Sequence, residues 1–369
     1  MKMNKVPFAK PIVDKEMLDA VTNALQNERL VGGESVHKFE EAFARYCGVK
    51  HAVSCSSGTN ALQLAFIALD VKNKEVQTTP FSFIATANSV IEAGGTPTFS
   101  DASDQDYNMD PGLVPKKLTQ KTAALLPVHL FGRPCRMDEI MEIASERGLK
   151  VVEDACQAHG SLYKGKKAGS IGDIGCFSFY PTKNMTVGGD GGMITTNDGD
   201  IAKNIAKYRD CGRISRYVHD VVGYTSRLNS ANAAFGLVQL KHLDEWNEHR
   251  RAVAKMYNRY LDDVEDIKLP PMGDKDTTPV FHLYAVRCAR RDELAEHLNK
   301  NGIEAGVHYP VPIHLQPIYK ELYGFKGGEF PVSEALANEM ISLPMFPDMN
   351  HDEVKRVSEE VRTFYSRSS

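Results

Sequence analysis

The strongest constraint on the fold is an alternation of short apolar runs with helix-like segments through the first two thirds of the chain. Two runs, AALLPVHLF and GDIGCFSF, are nearly continuous in apolar or small residues, as expected for strands covered on both faces. Strands that alternate with helices favour a mostly parallel sheet with helices on both sides. We predict strands at 51–55, 77–79, 96–100, 123–129, 150–153, 173–179 and 193–196, and helices at 59–69, 83–93, 137–147 and 200–208.

The sequence changes character after this alternating region. Residues 236–260 form a long charged segment with a helical period, which predicts a helix leading out of the sheet. The remainder is rich in proline and histidine near 308–317 and ends in an amphipathic segment near 352–365. We predict a large domain over residues 1–250 and a smaller α+β domain over residues 251–369, with roughly the first 15 residues packed on the smaller one.

The composition is that of a soluble globular protein. The 369 residues include 44 Lys+Arg and 48 Asp+Glu, a net charge of −4, and 42% of them are hydrophobic. This near-balance gives no overall attraction to nucleic acid or to an acidic membrane surface. The N-terminus lacks the continuous apolar stretch of a signal peptide, and the longest uncharged runs, 52–69 and 76–91, contain polar residues. We therefore expect a cytoplasmic protein without a nucleic-acid or membrane partner.

The seven cysteines are an odd number without a close pair, which is typical of reduced thiols. Cys47, His51 and Cys55 lie four residues apart, so a metal site is one interpretation. A fourth ligand is not evident, and structural metal sites usually contain two closer cysteines. We favour buried small residues beside a strand, and predict no metal.

The first motif that carries chemistry is SCSSGTNALQLAF, in which a strand leads directly into a helix. The backbone N–H groups at the helix start, approached through Gly58 and Thr59, suit an anion such as a phosphate. A simple helix cap by Ser57 or Thr59 explains the same residues.

Two further motifs bring a carboxylate and an amine to strand ends. In KVVEDACQAHG a strand delivers Asp154 at its carboxyl end, where ligands of open α/β sheets bind, although a helix-capping role fits as well. In GDIGCFSFYPTKNMTVGGDGG a buried strand ends at Ser178 and is followed by Lys183. A lysine that is partly removed from water has a lowered pKa and is a good nucleophile toward carbonyl groups.

Together the three motifs fit pyridoxal 5′-phosphate. The helix start would take the phosphate, Asp154 would pair with the ring nitrogen, and Lys183 would form the Schiff base.

The order of these motifs resembles the DegT/DnrJ/EryC1/StrS aminotransferases. The resemblance covers nearly the whole chain, including LVGGESVHKFEEAFARYCGVKHAVSCSSGTNAL, TPFSFIATANSVIEAGGTPTFSD, VVEDACQAHGSLYKGKKAGSIGDIGCFSFYPTKN and HYPVPIHLQPIY. It implies an α/β fold of fold type I, like that of aspartate aminotransferase, with a large mostly parallel sheet domain. It also implies a pyridoxal-phosphate-dependent transaminase that aminates a keto sugar on a nucleotide carrier, with glutamate as the expected donor.

The resemblance also implies roles for individual residues. Lys183 would be the catalytic lysine, which also serves as the base for the proton shift. The other cofactor-binding residues would be Gly58, Thr59 and Ser178 at the phosphate, Phe83 on the ring face, Asp154 at the ring nitrogen and Gln157 at the ring hydroxyl. The substrate side would include His159, Arg213, His308, Tyr309 and His314. For His159 a local hydrogen bond, and for Arg213 a solvated surface position, are the alternatives.

Relatives complete their sites across a homodimer, through a Gly-Tyr-Asn-x-Arg block that contacts the partner's phosphate. Here the block reads Gly-Tyr-Thr-Ser-Arg at residues 223–227, so Thr225 replaces the asparagine and Arg227 is retained. A threonine hydroxyl donates one hydrogen bond with a shorter reach.

Two other functions remain open on the same fold. One is a pyridoxal- or pyridoxamine-phosphate-dependent sugar dehydratase, whose members replace the Schiff-base lysine with histidine. The other is a regulatory member without catalysis. The presence of Lys183, Asp154 and Gln157 together favours the aminotransferase.

Overall fold

The protein is described here by a computed structural model that covers residues 5–366. The α-helices are α1 (Lys15–Asn27), α2 (Glu34–Cys47), α3 (Gly58–Ala68), α4 (Ala85–Glu92), α5 (Met137–Arg147), α6 (Gly199–Tyr208), α7 (Ser230–Leu261), α8 (Arg291–Lys300), α9 (Pro317–Tyr323), α10 (Pro331–Glu339) and α11 (His351–Ser366). The strands are β1 (His51–Cys55), β2 (Glu75–Thr78), β3 (Thr96–Phe99), β4 (Thr122–Leu125), β5 (Lys150–Asp154), β6 (Leu162–Tyr163), β7 (Lys166–Lys167), β8 (Ile174–Ser178), β9 (Gly192–Thr196), β10 (Arg213–Ser215), β11 (Val218–His219), β12 (Ile267–Lys268), β13 (Thr277–Thr278), β14 (Tyr284–Cys288) and β15 (Met340–Leu343).

The central element is a seven-stranded sheet in the order β1-β9-β8-β5-β4-β2-β3. Its β8-β5-β4-β2-β3 part is parallel, and β9 runs antiparallel to both of its neighbours. The mostly parallel sheet predicted from the alternation is therefore confirmed.

Strand β8 shows why its sequence is apolar on both faces. Cys176 packs in the cluster formed with α3, whereas the next residue, Phe177, packs with Phe39 and Phe43 of α2 in a second cluster. Successive side chains of a strand point to opposite faces. Both faces of the sheet are thus covered by helices, as the continuous apolar run predicts.

Two predicted boundaries were wrong by four or more residues. The strand predicted over 123–129 ends at Leu125, and Pro127, which has no N–H to donate, follows within an irregular connection. The helix predicted to begin at Gly236 begins at Ser230, because the Asn229 side chain caps it by accepting from Asn232 N at 2.8 Å. Gly236 lies inside this helix because the helix packs closely against Phe39 at this point. A Cβ at position 236 would lie 2.8 Å from the Phe39 ring.

The C-terminal third forms a separate antiparallel sheet, β12-β14-β15, covered by α8 and α11. The N-terminal segment packs on it, since Val6 pairs with Ile303 in a parallel bridge and Lys10 forms a 2.5 Å ion pair with Asp348. Residues 1–4 of the segment predicted to pack here lie outside the described residues. Helix α7 runs without a break through residue 250, so the predicted domain boundary at that point stays a prediction.

Two of the cysteines considered as metal ligands lie in separate parts of the core. Cys47 and Cys55 are buried in different core clusters, on α2 and β1, and burial raises the pKa of both thiols. This placement agrees with buried small residues beside a strand.

Within residues 5–366, no helix has the length and apolar character needed to cross a membrane.

Candidate active site

The carboxyl ends of β5 and β8 and the start of α3 open onto one cavity of about 550 Å³. Such a volume is typical of small-molecule sites. Nine residues predicted for the site line it: Gly58, Thr59, Phe83, Asp154, Gln157, Ser178, Lys183, His308 and Tyr309.

The start of α3 provides the anion-binding end of the cavity. Ser57 caps the helix by accepting from Asn60 N at 3.1 Å, so the capping interpretation is confirmed for this residue. The first N–H groups of a helix have no carbonyl acceptor within the helix. The N–H groups of Gly58 and Thr59 are therefore available to a ligand in the cavity. A Cβ on Gly58 would lie 2.6 Å from the Ser178 Cβ, so only glycine lets the helix start approach β8 this closely.

The two acidic residues at the end of β5 have different functions because they lie on opposite faces. Glu153 is fully buried and accepts hydrogen bonds from Gly169 N, Ile171 N, Gly172 N and His129 Nε2 at 2.7–2.9 Å, which fixes the loop after β7. Asp154 points into the cavity, where Oδ2 accepts from Thr86 Oγ1 at 2.8 Å and Oδ1 from Cys156 N at 3.2 Å. Asp154 is therefore the carboxylate available to a ligand cation.

Lys183 lies in the turn that follows β8, where its backbone N–H donates to Tyr180 O at 2.8 Å. Burial of the ammonium lowers its pKa, and the nearby Cys156 and Asp154 oppose this shift. A lowered pKa makes the neutral, nucleophilic amine available at lower pH.

Gln157, Tyr309 and Phe83 form the wall beside the carboxylate. Gln157 accepts from Phe131 N at 2.8 Å and donates to Tyr309 Oη at 3.2 Å, so both ends of its amide are held. The rings of Phe83 and Tyr309 lie 6.0 Å apart, and 54% of Phe83 is exposed. Phe83 thus presents an aromatic surface on which a planar ligand can stack.

Two predicted substrate residues lie outside this lining. His159 is fully buried against Phe177 and Phe179, and neither ring nitrogen has a hydrogen-bond partner in the described chain. Burial, with the Lys183 charge as a smaller contribution, lowers its pKa to about 3. His314 bonds through Nε2 to Glu334 at 3.0 Å, and this carboxylate also accepts N–H groups of the loop at 328–330.

Arg213, Thr225 and Arg227 also lie apart from the cavity lining of their own chain, beside the β10–β11 hairpin. Arg227 forms an ion pair with Asp210, which Arg213 Nε approaches at 3.6 Å. Thr225 is exposed, and its hydroxyl lies 3.3 Å from Cys211 Sγ. The substrate role of Arg213 and the roles of Thr225 and Arg227 in the site of a partner chain stay predictions.

The structure adds residues to the site that the motifs did not indicate: Phe8, Ser82, Thr86, Tyr180, Asp190 and His282. Ser82 and Thr86 are four residues apart in FSFIAT, a helical spacing that could have placed them on one face. No local signal marks Phe8 or His282, which reach the cavity from the N-terminal segment and from the strand region before β14.

Residues 11–362 match the DegT/DnrJ/EryC1/StrS aminotransferase family. The chain belongs to this family. The chain is also 41% identical over 352 residues to the pleiotropic regulatory protein of Geobacillus stearothermophilus, which covers 95% of this chain and 94% of the relative. The dTDP-3-amino-3,4,6-trideoxy-alpha-D-glucose transaminase of Streptomyces venezuelae is 40% identical over 369 residues, covering 98% and 97%.

The fold-type I prediction is confirmed by solved structures of similar proteins. The crystal structure of S. venezuelae DesV in complex with a ketimine intermediate superimposes with a TM-score of 0.93 at 39% identity and covers 98% of both chains.

Pyridoxal 5′-phosphate, the cofactor of this aminotransferase family, fits the donor set of the cavity. The start of α3 with Ser178 matches its phosphate, and the Asp154 carboxylate matches a protonated ring nitrogen. Lys183 would supply the amine that the aldehyde requires.

Proposed function

We propose that the protein transfers an amino group from L-glutamate to a keto sugar on a nucleotide carrier. The observation that carries the proposal is the meeting of Lys183, Asp154 and the α3 start in one cavity. The similarity to the Streptomyces transaminase over nearly the full length supports a sugar as the acceptor.

The residues of the chain would hold the cofactor and move a proton in each half of the reaction. The cofactor supplies an electron-accepting ring that makes the C–H bond beside the amino group acidic. Asp154 and the α3 start would fix its two ends, and Phe83 would cover one face. Burial lowers the pKa of Lys183. In each half of the reaction its neutral Nζ would take the proton from the carbon that gives up the amino group and deliver it to the carbon that accepts the amino group.

A homodimer with shared sites is part of the proposal. The β10–β11 hairpin is exposed along its whole length, and its apolar side chains Ile214, Tyr217 and Val218 are 58%, 78% and 52% exposed, with Val222 beside them at 90%. A two-stranded hairpin is marginally stable by itself, and several large apolar side chains exposed within one short segment are typical of an interface. A second copy covering it would bring Arg227 and Thr225 toward the neighbouring cavity.

A screen of nucleotide-linked 3-keto and 4-keto sugars with glutamate, read by product mass, tests the reaction. The expected result is replacement of the keto oxygen by an amino group and formation of 2-oxoglutarate. Loss of water from the sugar without amination would instead indicate the dehydratase. Cofactor binding without turnover of any sugar would indicate the regulatory alternative, to which the name of the Geobacillus relative points.

A further inference from the structure

A chain of two hydroxyl groups ends on the carboxylate of Asp154. The Ser82 and Thr86 hydroxyls lie 2.8 Å apart, and Thr86 Oγ1 lies 2.8 Å from Asp154 Oδ2. Only 3% of Ser82, 2% of Thr86 and 4% of Asp154 is exposed. All three residues line the cavity, so the chain lies directly beside the ligand space.

The direction of the hydrogen bonds follows from the chemistry of the groups. An ionised carboxylate only accepts, so Thr86 uses its single O–H hydrogen toward Asp154. Ser82 must then donate to the Thr86 oxygen. The two bonds are therefore aligned head to tail, an arrangement in which each hydroxyl polarises the next.

Helix α4 and the end of β5 fix this geometry from two parts of the chain. Ser82 precedes α4, and Thr86, four positions later, lies in the first turn of this helix. Thr86 N donates to Phe83 O at 3.0 Å. Asp154 N donates to Pro127 O at 2.9 Å at the end of its strand. Cys156 N donates to the other oxygen of Asp154 at 3.2 Å. Each carboxylate oxygen has two lone pairs, so acceptor capacity remains for a ligand N–H.

We propose that Thr86, supported by Ser82, is a positioning residue that orients the Asp154 carboxylate toward the ring nitrogen of the bound cofactor. The inference rests on the proposed function, because it requires Asp154 to pair with that nitrogen. Thr86 has no contact with the reacting atoms in this arrangement and acts through Asp154.

The test compares two cofactors that differ only at the ring nitrogen, pyridoxal phosphate and its 1-deaza analogue. Their dissociation constants are measured with the full-length protein freed of cofactor and reloaded. Thr86→Val keeps the shape of the side chain and removes the donor, and we expect it to weaken binding of pyridoxal phosphate about tenfold, as for loss of a hydrogen bond to a charged group. Binding of the deaza analogue should stay within about twofold, because it lacks the atom that Asp154 contacts.

Rescue and control variants separate positioning from general damage. Thr86→Ser retains the hydroxyl and should bind both cofactors like the wild type. Thr98→Val makes the same substitution at a buried hydroxyl without a partner among the described residues, and should change neither constant. If Thr86→Val does not fold, Ser82→Ala carries the test, with a smaller loss that is again confined to pyridoxal phosphate.

The outcomes distinguish the inference from the proposed function. Equal weakening of both cofactors by Thr86→Val, or no weakening of either, would overturn the positioning role. A wild-type protein that does not bind pyridoxal phosphate would overturn the proposed function. Equal wild-type affinity for the two cofactors would overturn the pairing of Asp154 with the ring nitrogen.

Discussion

The side-chain amide of Asn184, the residue after Lys183, donates a 2.7 Å hydrogen bond to Asn247 Oδ1 in α7. The same Asn184 nitrogen donates to Val280 O at 2.9 Å, and Asn247 Nδ2 donates to His159 O at 2.8 Å. Both asparagines are buried. The turn that carries Lys183 is thus tied to the long helix and to the strand region before β14.

Asn184→Ala should lower the free energy of unfolding by about 2–3 kcal/mol, because it removes two buried hydrogen bonds and leaves their acceptors unpaired. Denaturant unfolding measures this change. Asn299→Ala is the matched control, since the exposed side-chain amide of Asn299 donates to Ala295 O one turn earlier in the same helix. A change within about 0.5 kcal/mol is expected. Equal effects of the two substitutions would contradict the tie between the turn and α7.

Lys183→Ala should abolish the covalent attachment of pyridoxal phosphate. The wild type should be yellow, and borohydride reduction followed by peptide mass analysis should locate the cofactor on Lys183. Lys203→Ala, at an exposed position on α6, should label like the wild type. Labelling at another lysine, or none at all, would count against the assigned role.

Val222→Asp should weaken the homodimer, because it places a charge in apolar surface that we expect a second copy to cover. Analytical ultracentrifugation over a dilution series should show monomer at higher protein concentrations than for the wild type. Val222→Thr has a similar shape without a charge and should change the association less. An unchanged association constant for Val222→Asp would exclude this surface from the interface.

Mixed dimers test whether Arg227 acts across the interface. Lys183→Ala and Arg227→Ala chains, each inactive or weak alone, should regain activity when unfolded together and refolded, because some hybrid dimers then contain one intact site. Each variant refolded alone is the control. Absence of recovery at every mixing ratio would count against Arg227 acting across the interface.

His159 should make stability depend on pH. Burial lowers its pKa to about 3 in the folded protein from the ordinary value of 6.5, so between these values the unfolded state binds a proton that the folded state does not. Stability then falls as the pH falls through this window, by about 1.4 kcal/mol per pH unit for one proton. His159→Phe should reduce the slope of unfolding free energy against pH by about this amount, and an unchanged slope would show that other groups account for it.

Much of the fold and of the cofactor end of the site followed from local sequence. Continuous apolar runs and helical periods indicated the sheet, and the residues at or just after the end of a strand indicated Asp154, Ser178 and Lys183. These features can be recognised locally, because a strand that is buried on both faces leaves a continuous apolar run and the turn after a strand leaves its own residue pattern. The predicted start of α7 was wrong because Gly236 allows a close contact with Phe39, which is distant in the chain. A glycine by itself does not reveal its packing partner.

The sequence by itself thus determined the sheet, the positions of Lys183 and Asp154 at strand ends, and the start of α3 that suits a phosphate. Each of these features follows from residues that are neighbours in the chain. Only the tertiary structure decided that Thr86 reaches Asp154, that Asn184 reaches Asn247, and that His282 enters the cavity while His159 lies buried behind it. The two hydrogen bonds join residues that are 68 and 63 positions apart in the chain. At such separations packing sets the distance, and no local spacing records it.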